Sequence, residues 1–201
     1  SWGAFAYALG VVTFLTSFSD IGINALLTKE AVKSPELKNQ YLATAFGIKL
    51  ALIILILIAL IIFFPYLTKI EEAAAIMPIL IFVFAFDTLR DLGSALSRAL
   101  EKMQIEAGIQ IFTNFAITIF GFLFLTAGKT SQSLAFAYAL GSFLGLTAII
   151  FALRRHLENI FKNFNGKLIK QIVATAWPFG LLGLMGVIML NTDIIMLGWL
   201  R

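Results

Sequence analysis

The sequence predicts an all-α protein, a polytopic bundle of transmembrane helices. Two observations carry that prediction. Of its 201 residues, 60% are hydrophobic and only 13% charged, with a mean hydropathy of +0.96. A soluble chain of this length lacks the polar surface to cover so much apolar side chain, whereas in a bilayer lipid becomes the solvent of the outer face. The second observation is spacing. Crossing the hydrocarbon core takes about 20 helical residues, and stretches of that length recur along the whole chain, separated by short polar joins.

Six stretches qualify as spans. They run from Trp2 to about Thr28, from about Tyr41 to Phe64, and from Ala73 to about Leu96. Ala107 to Ala127 and Leu134 to Leu153 follow, both free of charge, and the last runs from about Ile172 to Leu200. Pro35, Pro65 and the run Gly128-Lys129-Thr130-Ser131-Gln132-Ser133 punctuate the joins with turn chemistry. Helix is the only reading, because open strands leave their backbone unsatisfied in lipid.

The cations sort by join. Lys29, Lys33 and Lys38 follow the first span, and the next join holds only Lys69 beside Glu71 and Glu72. Arg90, Arg98 and Lys102 mark the third join with the end of its preceding span, Lys129 alone the fourth, and Arg154, Arg155, Lys162, Lys167 and Lys170 the fifth. Cation-rich and cation-poor joins alternate, so the positive-inside rule places Trp2 outside and the rich joins in the cytoplasm. A cytoplasmic N-terminus then needs an odd number of spans before Ser1. The chain opens in an apolar stretch without an initiator Met or basic signal-peptide region and stops at Arg201 as a span finishes. The expectation is a piece of a longer protein with one preceding helix.

Three regions follow: a five-span bundle over 1–153, a cytoplasmic connector over 154–170, and a further span over 171–201. Within the connector, Leu157, Ile160, Phe161, Phe164 and Leu168 recur at helical spacing opposite Glu158, Lys162, Asn163 and Lys167. That pattern suits a helix lying in the membrane interface. An ordinary connector with topology-setting cations is the competing reading, favoured by Gly166. His156, the only histidine, has no companion ligands. The hexapeptide Phe5-Ala-Tyr-Ala-Leu-Gly10 recurs at Phe136–Gly141, but its flanks do not align and apolar sequence repeats by chance.

Chemistry-bearing residues are those ionised within the spans. Each costs roughly 2.5–3.5 kcal/mol in hydrocarbon, so such groups face a cavity or a partner. Asp20 lies toward the inner end of the first span, where the span is long enough to break; it is a gating or ion-coupling candidate, or the N-cap of a short helix after it. Lys49 is the only charge of the second span, about 12 Å beyond Tyr41 along a helix. It either faces the lumen as a substrate contact or snorkels to the interface. Asp87, Arg90 and Asp91 sit in the inner half of the third span, with Asp87 and Arg90 an i,i+3 pair. They form a self-neutralising boundary cluster or serve transport, Arg90 binding substrate and Asp87 gating. Asp193, amid Met189, Leu190, Ile194 and Ile195, is a candidate for ion coupling or interhelical pairing. Pro178, Gly180 and Gly183 mark a hinge or a close-packed face of the last span. The absence of cysteine excludes disulfides, thiolate metal sites and cysteine nucleophiles; neither a cofactor nor a nucleic-acid partner is expected.

Several short stretches carry a resemblance: Trp2-Gly3-Ala4-Phe5, Phe18-Ser-Asp20-Ile-Gly22-Ile, Thr28-Lys-Glu30-Ala, Ser97-Arg-Ala-Leu-Glu-Lys-Met103, Trp177-Pro-Phe-Gly-Leu181 and Thr192-Asp-Ile-Ile-Met-Leu-Gly198. Over nearly its whole length the chain resembles the polysaccharide-exporter (Wzx-type) flippases, whose superfamily also holds lipid II flippases and MATE drug exporters. The resemblance implies that the spans are family helices two to seven, most of the N-terminal lobe of a MATE-like fold and the first helix of the second. It implies a non-enzymatic carrier moving polyprenyl-pyrophosphate-linked oligosaccharide across the cytoplasmic membrane of a prokaryote by alternating access, with H+ or Na+ as coupling ion. Many relatives carry Arg before the last helix's Asp, where this chain has Asn191 and Thr192, so no anion contact carries over there. A cation-coupled MATE-type drug exporter is the nearest alternative, expected to place more carboxylates than cations in its cavity. An integral-membrane glycosyltransferase or polymerase fits less well, since every join is short and histidine occurs once.

Overall fold

The protein is described from a computed structural model covering residues 2–20, 22–26, 29, 38–67, 71–128, 130–157 and 163–199. The described residues form six long helices in order: α1 (Trp2–Asp20), α2 (Lys38–Leu67), α3 (Glu71–Ala99), α4 (Met103–Ala127), α5 (Ser131–Leu157) and α6 (Leu168–Trp199). The described residues contain no strand, in keeping with the all-α transmembrane bundle read from the sequence. By length and composition α2 over Asn39–Ala59, α4 over Met103–Thr126 and α5 over Ser131–His156 can each cross a membrane. In α6 an apolar run covers Leu168–Gly183. Helix α3 is long enough but carries Asp87, Arg90 and Asp91. The joins holding Lys33, Pro35, Lys69, Lys129 and Lys162 lie outside the described residues.

Helix α3 is the hub, packed against α1, α2, α4 and α5, while α6 docks on α1 and α2. Its composition explains that place. Ile76, Met77, Leu80, Val83 and Phe84 are all fully buried, which takes neighbours on several sides. Helix α4 is instead one-sided. Ile109, Thr113 and Ala116 are buried at helical spacing, whereas Ile111, Phe115 and Phe122 are exposed. That outer face is apolar because its solvent is lipid. Against α5 the packing is close: a Cβ on Gly141 would lie 2.9 Å from the Ile117 nitrogen, and Gly145 backs onto the Thr113 side chain. Small residues four apart permit that approach.

Among the described residues, the α3–α4 turn, the end of α5 and the start of α2 gather at one end of the bundle. Lys102 Nζ lies 3.5 Å from His156 Nε2, bringing the α3–α4 turn to the end of α5. The connector is then pinned to the start of α2. Asn165 donates from its backbone to Thr44 Oγ1 at 3.1 Å and from Nδ2 to Gln40 Oε1 at 3.1 Å, and Gly47 leaves room for the Phe164 ring. Phe164–Lys167 is not helical, and Gly166 lies in the turn that precedes α6. The amphipathic spacing read across this segment therefore does not run through as one helix; residues 158–162 lie outside the described residues.

The α3–α4 turn is a Schellman motif. Lys102 N donates to Ser97 O and Glu101 N to Arg98 O, both at 2.9 Å, with Glu101 in left-handed backbone at φ 60°. Arg98 and Glu106 pair across it. Pro65 does not start the join that the sequence suggested but falls within the last turn of α2, whereas Pro78 and Pro178 fall inside α3 and α6, as their spans require.

A polar layer between two apolar clusters

The buried apolar residues fall into two clusters. One joins Ile23, Leu26, Tyr41, Leu96, Ile149 and Ile172; the other joins Phe5, Val12, Ile53, Leu80, Phe84 and Ala135. On each stretch of chain that contributes to both, at least one ionised or hydroxyl side chain interrupts the apolar residues between the two clusters. Asp20 lies between Val12 and Ile23, Lys49 between Ala45 and Ile53, Asp87, Arg90 and Asp91 between Phe84 and Leu96, and Ser142 between Ala135 and Leu146. Antiparallel packing turns these scattered interruptions into one layer.

Lys49 is its most buried charge, with its side chain only 1% exposed. Its ammonium meets Asp20 Oδ1 at 3.1 Å and Asn24 Oδ1 at 2.9 Å. The chain breaks to make this possible. Helix α1 ends at Asp20, Gly22 takes a left-handed φ of 74°, and Ile23–Leu26 resumes a helical turn. Asp20 Oδ1 also accepts the Asn24 N–H at 3.2 Å, so one carboxylate both supports the turn after the break and neutralises Lys49. Gly22 is required twice over. Its φ disfavours a side chain, and a Cβ there would lie 2.5 Å from the Gly180 nitrogen and 2.7 Å from Phe179 Cβ on α6.

The second group lies wholly on α3. Arg90 Nη1 is 3.0 Å from Asp87 Oδ1 and Nη2 is 3.7 Å from Asp91 Oδ1. Ser142 of α5 faces Asp87 without reaching hydrogen-bond geometry, and Arg90 Nε is buried without a hydrogen-bond partner. Asp91 links the two groups, within electrostatic reach of Lys49 and Asp20 as well as Arg90 and Asp87. Its side chain is 44% exposed, toward a cavity of about 190 Å³ that Thr16, Asp20, Asn24 and Asp91 line together with Gly22, Phe179, Gly180 and Gly183.

The structure thus brings Asp20, Lys49, Asp87 and Arg90 into one layer and sets Gly180 and Gly183 at the cavity wall. Pro178 lies on the exposed side of α6. Asp193 lies on α6, and its side chain is outside the described residues. Among the described residues no group of His, Cys, Asp and Glu could hold a metal ion. Asn24 and Thr16 escaped the sequence reading; the usable signal was Asn24 four residues after Asp20, one helical turn on.

A family model described as Polysaccharide biosynthesis protein matches residues 1–201. The chain belongs to that family. The match covers every motif that carried the resemblance to polysaccharide-exporter flippases, and bears it out. No curated protein and no solved structure matches. A membrane protein of polysaccharide biosynthesis, of a flippase-type transporter family, is therefore what fold and family together establish.

Proposed function

We propose that this chain forms one lobe of a flippase moving a polyprenyl-pyrophosphate-linked oligosaccharide from the cytoplasmic to the external leaflet of a prokaryotic cytoplasmic membrane. The observation that carries the reading is the polar layer, a charged and partly hollow stratum within apolar helices, in a polysaccharide biosynthesis family. Pyrophosphate and sugar cannot cross bare hydrocarbon, and a groove lined by ionised groups shields them.

Lys49 and Arg90 are the proposed phosphate contacts. Both are held by carboxylates, so the anion binds by displacing Asp20 from Lys49 or Asp87 from Arg90. A displaced carboxylate then needs a proton or another cation, which ties anion binding to ion binding. Helix α6 touches the break of α1 at Gly180, so a swing of α6 about Pro178 opens or closes the cavity over Asp20 and Asp91. In this scheme the basic joins face the cytoplasm.

Lys49→Ala is expected to abolish glycan export in a strain lacking its flippase, with lipid-linked precursor accumulating on the cytoplasmic leaflet. Wild-type export by that variant removes Lys49 from the site. One observation favours the cation-coupled drug exporter as a second reading: the layer holds three carboxylates, Asp20, Asp87 and Asp91, against two cations. Drug resistance conferred without any effect of a missing lipid carrier selects that reading.

A further inference from the structure

We propose that the Lys49 ammonium is a tethered cation filling a monovalent-cation site, so that Lys49 and a free alkali ion occupy this site in turn and never together. The geometry has three parts. The ammonium is buried, and the oxygens within its hydrogen-bond reach are Asp20 Oδ1 at 3.1 Å and Asn24 Oδ1 at 2.9 Å. A carboxylate and an amide oxygen are the hard donors that alkali and alkaline-earth ions select. The second part is the broken helix. The α1 helix ends at Asp20, the residue that holds the ammonium, and helix ends at breaks within the membrane are where transporters place monovalent cations. The third part is space. Asp20 and Asn24 line a cavity of about 190 Å³ together with Asp91 and Thr16, and shortening the buried Lys49 to Ala frees the volume of its stem next to Asp20 and Asn24.

Occupancy follows from charge. With Lys49 in place the Asp20 carboxylate is neutralised, and a second cation meets a like charge in a medium that screens poorly. Once Lys49 leaves, the donors face an unoccupied negative site. The link to transport rests on the proposed function, because an anionic headgroup that draws Lys49 away would open the site to Na+ and so set the order of binding. The occupancy itself stands on geometry alone.

The test needs no transport assay. Thermal melting of the purified protein in detergent is followed in NaCl, LiCl, KCl and choline chloride at equal ionic strength. Wild type is expected to melt at the same temperature in all four. Lys49→Ala is expected to melt several degrees higher in NaCl or LiCl than in choline chloride, saturating with concentration, and Lys49→Ala/Asp20→Asn is expected to lose that difference. Methylammonium, a free copy of the missing group, is expected to raise the melting temperature of Lys49→Ala and not that of wild type. Should Lys49→Ala be too unstable to purify, Lys49→Met in the same salts reads the same site. An alkali-specific shift in wild type that Asp20→Asn removes overturns the proposal, as does a Lys49 variant indifferent to every cation. Either result leaves the flippase reading standing, and failed export with the expected melting behaviour leaves the cation site standing.

Discussion

The two ionic groups of the polar layer are built in opposite ways. Asp87, Arg90 and Asp91 lie within five residues of one another on one helix, and any α-helix through that sequence brings them together. Lys49 and Asp20 lie 29 residues apart and meet only because α1 breaks at Gly22 and α2 returns beside it. The local group has a surplus carboxylate and an unbonded Arg90 Nε; the long-range group is matched one to one and completed by Asn24. The difference teaches where tertiary structure does the fixing. The α3 group survives changes in packing, whereas the Lys49 pair reports directly on how α1, α2 and α6 sit together.

That contrast predicts unequal sensitivities. Lys49→Ala leaves Asp20 without its cation, and because Asp20 is partly exposed to the cavity the loss falls below that of a fully buried pair, about 2 kcal/mol. A melting temperature lowered by several degrees, largely restored in Lys49→Met/Asp20→Asn, is the expected outcome, because replacing both partners removes the stranded charge. Gly22→Ala comes next. A side chain at left-handed φ costs about 1–2 kcal/mol, and its Cβ forces α6 away at Gly180, so both melting temperature and export are expected to fall. Asp87→Asn should matter less, about 1 kcal/mol, since Asp91 remains beside Arg90. A loss as large as that of Lys49→Ala would erase the distinction between the groups. The smallest effect has the other sign. Glu101→Gly relieves the left-handed residue of the Schellman turn and is expected to stabilise by about 1 kcal/mol or less, seen as a modest rise in melting temperature.

The fold was legible in the sequence where one physical constraint dominates. Apolar runs of membrane length become helices because lipid permits nothing else, so α2, α4 and α5 lie over their predicted spans. Proline was the weaker guide to the joins: Pro65, read as punctuation, falls within the last turn of α2. In the connector Gly166 was the better guide than the apolar spacing. That spacing looks helical, but Asn165 donates to the Thr44 and Gln40 side chains and the chain there is not helical. In the site, Asp20 and Lys49 could each be picked out as a charge in an apolar span. Their pairing could not, because nothing near either residue names the other. The Ser-Asp-Ile-Gly stretch held two clues, a left-handed glycine and a cap, whose meaning depends on α6 passing at Gly180.

Transport through the polar layer requires it to be open to water on one side and closed by apolar packing on the others. The chain has no cysteine, so single-cysteine labelling with a small, water-soluble methanethiosulfonate reagent reads that claim without background. Thr16→Cys and Gly183→Cys at the cavity wall are expected to react rapidly, and Phe115→Cys and Phe122→Cys on the outer face of α4 to stay unlabelled in membranes. Labelling of the α4 positions with silence at Thr16 and Gly183 would contradict it.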